Sequence, residues 1–581
     1  MIRLPALMKI FPWRKISHAF AAIPVISTLL AALLTVFPVL LNGCEAKKMR
    51  LPGFAYFRLN SNPTTLDPAY IVDVTGGTLG AKIFNGLVRL DPSMKVVPDI
   101  AKSWQVSEDG LRYRFYLRDD VYFHSGGKLT AYDVEYSFKR VLSPQTLSPS
   151  TWVLKKIYGA GEFLDKKTVS LRGIRVIDDY TVEITLKEPF SPFLKLLAMP
   201  TAYIVSSKDV GRLGKDFGSK PSGTGPFVLK SWEPDNELVM VKNANYFDGK
   251  VRVTKDAGVA GTAGIAKAAG IAKIAGPAKV EGLVYKIIPE DMTAVTEFLV
   301  GNLDVLDVPA SAYTMFSKDP AYAGLMVKGH GLNTYYLGLN TSHPPLDNVL
   351  VRRAIACAID RKKVLDKYME GRGTYATSAV PEFLKSYAVI DPYPYNPGMA
   401  GKLLAQARYK AGRKTGHKNG VHLKFYVANV QESIDIAEIV ASYLSGAGVG
   451  VDIKVLEWSA YLAALNNGEA DLFWLGWWAD YPEGENFLYP LFHSSNFGTG
   501  GNRTRYVNHR VDDLIEKSQR ALDDGEKQRL YNEIESLIMA DSPAVFFWHR
   551  DDFSVVQKWV KGFETYPVYN VDKGTAISLI R

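Results

Sequence analysis

The chain has 581 residues, 47% hydrophobic and 22% charged, too long for one ordinary domain and too apolar for a disordered one, so two or three folded lobes are expected. Its net charge of +9 is local: residues 1–44 hold four basic and no acidic side chains, residues 251–280 hold five basic against one acidic, and the remainder is close to neutral. Without a cationic cluster on the folded part to displace counterions, nucleic acid is not expected as a partner.

In chain order, the first segment is an address. Arg14 and Lys15 precede Ala19–Leu41, apolar apart from Ser27, Thr28 and Thr35, which is the form of an export signal. It ends in Leu41-Asn42-Gly43-Cys44. That ending resembles the lipobox of bacterial lipoproteins, which implies cleavage after residue 43 and lipidation of Cys44. The run is also long enough to span a bilayer uncleaved, although Pro24 and Pro38 disfavour a plain spanning helix. Either anchor puts the rest of the chain outside the cytoplasm, on the membrane.

Alternation in Arg112–Arg118 sets Tyr113, Phe115 and Leu117 on one face and the arginines on the other, predicting a half-buried strand after an Asp109-Gly110 hairpin turn. Thr181–Leu186 repeats the pattern, and 238–242, 283–288, 421–428 and 451–456 are further strands. Between residues 257 and 279 a period-six Ala/Gly/Lys repeat interrupts the pattern. Six residues advance about 240° around a helix, so the repeat paints no single face and is expected to be a basic surface loop, with membrane contact through its lysines as one use. Asp347 is expected to cap a helix whose inner face is Val351, Ala354, Ile355, Ala358 and Ile359, and Asp360 begins a second, basic stretch ending at Gly371. Glu432–Leu444 follows, with Gly446 as its stop, and then a short helix around Tyr461, Leu462 and Leu465 ended by Gly468. Strands and helices alternating at these lengths predict an α/β protein.

Catalytic motifs are absent. No G-x-S-x-G or H-E-x-x-H occurs, and Tyr122 stands where a phosphate loop ending at Gly127-Lys128 needs its first glycine. Nine scattered histidines offer no metal-ligand spacing, and His549 beside Trp548 suits packing. Cys357, in an Ala/Ile-rich helix, suits a small buried hydrophobe. No enzyme activity, cofactor or metal is expected.

Several segments, in order, carry a family resemblance. They are Leu66-Asp67-Pro68 with Phe84-Asn85-Gly86-Leu87, and then Pro98–Trp104 running through Glu108–Leu111 to Leu129–Val134. Gly223–Phe227, Asn243–Phe247, Pro345-Leu346-Asp347, Val351–Ala354 and Ala358–Arg361 follow, and Gly476–Pro482 with Asn486-Phe487-Leu488 closes the series. Together they resemble the family 5 extracellular solute-binding proteins, which include the dipeptide- and oligopeptide-binding proteins of ABC importers. The resemblance implies a two-lobed, class II periplasmic-binding-protein-like fold with an additional third domain. Domain I is expected from 51–88, 221–310 and 543–581, with 257–279 as an insertion, domain II from 89–220 and domain III from 311–542. Trp104 is expected in the core, and Gly223–Phe227 at a tight crossing between lobes.

In peptide-binding members, the aspartate of a W-x-A-D segment pairs with the peptide's α-amino group; here that is Asp480. The chemistry fits, because an enclosed ammonium needs a fixed carboxylate, and Asp480 follows a predicted strand, 471–478. Trp477 or Trp478 is expected to wall a side-chain pocket, at least one of the pair facing the core, while the backbone of Trp478 and Ala479 pairs with an extended ligand. Val72, Asp73 and Val74 align with a ligand-lining stretch. The expected function is capture of a di- or oligopeptide between domains I and III by a monomer, and delivery to the permease subunits of an ABC transporter. Family relatives with nickel complexes, haem, sugars or opines set the alternatives within the class; an envelope sensory receptor is the alternative outside it.

Overall fold

The computed structural model describes residues 50–247, 278–409 apart from 386 and 390, and 421–580. The export segment with Cys44, and the 257–279 repeat except its last two residues, lie outside the described residues. Gly53–Arg581 is one unit built on three main sheets. The first orders Phe54–Leu59, Gly282–Ile287, Glu237–Lys242 and Phe227–Glu233, its first pair parallel and the others antiparallel. The repeat therefore lies between two adjacent antiparallel strands.

The second sheet is antiparallel: Ala101–Val106, Arg112–Leu117, Thr181–Thr185, Ile174–Asp178. The alternation seen in the sequence is its cause. Tyr113, Phe115, Leu117, Val182 and Ile184 are buried on one face, each contributing roughly 1.5–3 kcal/mol, while Arg112 and Arg114 face water. Gly110 closes the hairpin at φ 68°, its N–H donating to the Ser107 carbonyl. Trp104, expected in the core, is only half-buried: it lies on this sheet with its ring tilted against Phe115.

The third sheet has eight strands. Its main path is Val305–Asp307, Ala544–Val556, Asn333–Leu339, Leu472–Trp478, Val421–Ala428 and Val449–Leu456; Met326–His330 and Gly373–Tyr375 also pair with the thirteen-residue strand Ala544–Val556. That long strand meets Asn333–Leu339 at one end and Val305–Asp307 at the other, so it joins segments far apart in sequence.

The helices follow their patterns, with shifts at the ends. The Val349–Ala358 helix buries Val351, Ala354, Ile355 and Ala358, as expected, but its cap is Asn348, which accepts the Leu350 N–H; Asp347 still belongs to the preceding turn, its N–H donating to the His343 carbonyl. Asp360 caps the short helix Arg361–Val364, which widens into a π turn over Leu365–Met369. Gln431–Gly446 runs through Gly446 rather than stopping there, because the left-handed turn falls at Gly448, φ 85°. Trp458–Asn467 ends at Gly468 in the left-handed conformation. Gly223 and Gly225 press on the end of helix Val74–Ile83: a Cβ on them would lie 2.1 Å from the Ile83 carbonyl oxygen and 2.4 Å from that of Lys82, so only glycine fits.

Candidate functional site

Three parallel strands, Val421–Ala428, Val449–Leu456 and Leu472–Trp478, deliver their C-terminal ends to one edge of the large sheet. Ligand groups in open α/β folds collect at such ends. Val430, Trp458 and Trp478 are exposed there, Trp478 at 50%. An indole left half in water at a strand end offers a flat apolar wall. Trp458 and Val430 were not singled out in the sequence, because each looks like an ordinary helix-start residue until the strands are placed side by side.

Leu472–Trp478 pairs with Val421–Ala428 only through Leu472 and Phe473, so its last residues run past that neighbour. Alternation along a ladder sends successive backbone groups to opposite edges. The Ala479 N–H donates to the Leu332 carbonyl at 2.9 Å, whereas the Trp474 carbonyl turns the other way and accepts from the Tyr461 hydroxyl. Trp478, in step with Trp474, presents its backbone to the open edge. The expectation of ligand pairing through both Trp478 and Ala479 is thereby corrected: the Ala479 donor is already used inside the sheet. Trp477 is the inward member of the pair, half-buried against the main core, with its indole N–H donating to the Asn486 carbonyl at 2.8 Å.

Asn486 also sets Asp480, accepting its backbone N–H through Oδ1 at 2.8 Å. One buried asparagine at the start of helix Glu485–Phe492 thus holds both the tryptophan and the aspartate. The Asp480 carboxylate has no hydrogen-bond or ion-pair partner among the described residues. Water reaches it, yet surrounding protein removes part of its hydration, and this desolvation pushes its carboxyl above the ordinary range. A carboxylate in that state gains from any cation brought to it.

Residues 481–485 are built the opposite way. Buried Glu483 accepts from Lys195 Nζ at 2.6 Å and from the Tyr531 hydroxyl at 3.0 Å, with Lys527 at 3.7 Å. Burial alone would raise its carboxyl; Lys195 and Lys527 outweigh burial and hold it below the usual range. Lys195 also donates to the Pro482 carbonyl at 2.6 Å. Glu485 is buried too, raised by burial despite hydrogen bonds from Tyr481 and Gln519. Trp152 packs on Tyr481, ring centroids 6.4 Å apart.

Val72 and Val74 are exposed, at 64% and 63%, on either side of Asp73. Asp73 caps helix Val74–Ile83, its Oδ1 accepting the Gly76 N–H at 2.7 Å, while Oδ2 is buried without a partner. Tyr569 lies on the same helix at Gly77, so closely that a Cβ there would fall 2.0 Å from its ring. Burial, and then the charges of Asp480 and Asp73, raise its hydroxyl to about 12. The Tyr569 segment and the Asp480 loop are tied to one short stretch of chain: Asn570 Nδ2 donates to the Ala198 carbonyl at 2.7 Å, and Lys195 donates to the Pro482 carbonyl at 2.6 Å.

Other candidates play structural parts. His549 Nδ1 donates to the Asn333 carbonyl at 2.8 Å, and burial lowers its ring to about 4. Cys357 is buried, its thiol pushed up to about 11. Among the described residues no helix is long and apolar enough to cross a membrane.

Comparison with known proteins decides the family. The model of the bacterial extracellular solute-binding proteins, family 5 Middle, matches residues 95–499. The chain belongs to this family. Among curated relatives, this family 5 protein is 29% identical to heme-binding protein A of Haemophilus influenzae over 543 residues, covering 90% of this chain and 92% of the relative. It is also 29% identical to a probable di/tripeptide-binding protein 5 of Pseudomonas aeruginosa, covering 89% and 91%. Among solved structures, the unliganded open form of the periplasmic murein tripeptide-binding protein MppA superposes with a TM-score of 0.75 at 25% identity, covering 91% of this chain and 98% of that one. The fold is thus the α/β, two-lobed periplasmic-binding-protein fold with an additional third domain, as the resemblance implied.

Proposed function

We propose that this family 5 protein captures a short peptide at the strand ends around Asp480 and delivers it to the permease of an ABC importer. The observation that carries the reading is the Asp480 carboxylate: held in place through Asn486, partly desolvated, and without a partner among the described residues. The peptide's α-ammonium supplies the missing charge, its backbone meets the open edge at Trp478, and its first side chains lie against Trp458, Trp478 and Val430. Binding energy that favours a closed arrangement of lobes would then signal occupancy to the permease. The domain division at 51–88, 221–310 and 543–581, 89–220, and 311–542 is part of this proposal. The first two sheets each fall within one of these groups, while Ala544–Val556, assigned to I, pairs with three strands of III as well as with Val305–Asp307 of I. So is residence on the outer face of a bacterial membrane, through lipid on Cys44 or an uncleaved apolar segment.

The relative named for haem favours a second reading, in which the exposed indoles hold a flat apolar ligand. Denaturing the purified protein and identifying released small molecules by mass spectrometry separates the two. Short peptides with free amino termini are expected. A Soret absorbance with no released peptide would overturn the peptide reading.

A further inference from the structure

A protonated primary amine carries three N–H donors, and enclosing it leaves a costly gap for each one unmet. Resting on the amine-site reading above, we infer that the Tyr569 hydroxyl is a third acceptor for the ligand's ammonium, beside the carboxylates of Asp480 and Asp73, so that the site selects primary over substituted amines.

The three groups come from three separate segments, and each is left with an acceptor to spare. Asp480 has no side-chain partner among the described residues. Asp73 spends Oδ1 on the Gly76 N–H and keeps Oδ2 buried and unmet. The Tyr569 hydroxyl makes no hydrogen bond among the described residues. Asp73 and Gly77 stand one helical turn apart on one face, and the Tyr569 ring is seated on Gly77, which brings the phenol alongside Asp73. The absence of a side chain at Gly77 is what admits the ring; alanine there would expel it. Burial, with the two carboxylates adding to it, keeps the phenol protonated throughout the physiological range, so its oxygen meets a cation through a lone pair while its O–H turns toward one of the aspartates. None of the three is ion-paired to a lysine, arginine or histidine among the described residues. Tyr569 is not legible in the sequence, because nothing local distinguishes it from the 30 other tyrosines.

The test uses the full chain and calorimetric titration with tri-alanine and N-methyl-tri-alanine. Wild-type protein is expected to bind the free amine about tenfold more tightly than the N-methyl form. Tyr569→Phe, which keeps the ring on Gly77 and an unchanged melting temperature, is expected to weaken tri-alanine binding by about tenfold. It should also shrink the preference for the unmethylated peptide, since the donor removed and the acceptor removed are partners. A Tyr569→Phe protein with wild-type affinity and wild-type preference overturns this inference while leaving the peptide reading intact. Failure of the wild type to bind either peptide overturns the amine-site reading on which it rests.

Discussion

Asp480 and Glu483 are three residues apart on one loop, yet the protein treats their charges in opposite ways. Glu483 is fully enclosed and answered from within, by Lys195, Lys527 and Tyr531. Asp480 is reached by water and answered by nothing among the described residues, although Asn486 fixes its backbone. A buried charge met by its own chain serves the fold, whereas a desolvated charge left open serves something that arrives later. The Glu483 network also ties the loop where the ligand is proposed to bind to Lys195, 288 residues earlier in the chain.

Substitutions can break the contrast from either side. The largest expected effect is on Glu483→Ala, which leaves half-buried Lys195 with only the Pro482 carbonyl and buried Lys527 with only Asp524, and should cost up to about 3–5 kcal/mol in chemical denaturation at neutral pH. Because the Glu483 carboxyl titrates below its ordinary value in the fold, its contribution is complete above the unfolded carboxylate range and lost as pH falls through the folded value. The difference between wild type and variant should therefore narrow in acid. A smaller effect attaches to His549, pinned to Asn333, the residue that pairs with Trp478. Its ring titrates at about 4 in the fold against 6.5 when exposed, so the unfolded chain takes up the proton first. Stability should fall as pH drops through that window, by at most about 3 kcal/mol, and His549→Gln should flatten the decline in thermal melts. The smallest effect is on the stability of Asp480→Asn. Since burial raises the Asp480 carboxyl, its charge opposes folding above that raised value, and removing it should leave the melting temperature at pH 7 unchanged or slightly higher.

The sequence made the periodic parts of the fold legible and missed what depends on assembly. Tyr113, Phe115 and Leu117 could be assigned to an inner face because burial follows strand alternation, and the inner face of Val349–Ala358 followed helical spacing. Boundaries slipped where two good signals stood side by side: Asp347 and Asn348 both suit a cap, and Gly446 and Gly448 both suit a stop. Trp104 shares the inward face of its sheet with its cross-strand partner Phe115, but its strand is the edge of that sheet, which leaves the ring half in water, and the sequence does not show which strand is the edge. At the candidate site, both Asp480 and the Val72-Asp73-Val74 stretch are visible through the family pattern. Ala479 was misjudged because the edge its N–H faces depends on the register with Leu332. Tyr569, Trp458 and the lysines around Glu483 carry no local signature, because what each of them faces is set by segments distant in sequence.

The central claim is that the open carboxylate at 480 exists to meet a ligand's amine. Its most direct test is titration of wild-type and Asp480→Asn protein with a free-amine tripeptide and its N-acetyl derivative at pH 7. The expected result is tight binding of the free amine by the wild type alone, a loss of about thirtyfold or more in the variant, weak binding of the acetylated peptide by both, and matching melting curves. Equal affinity of the two proteins for the free-amine peptide would contradict the claim.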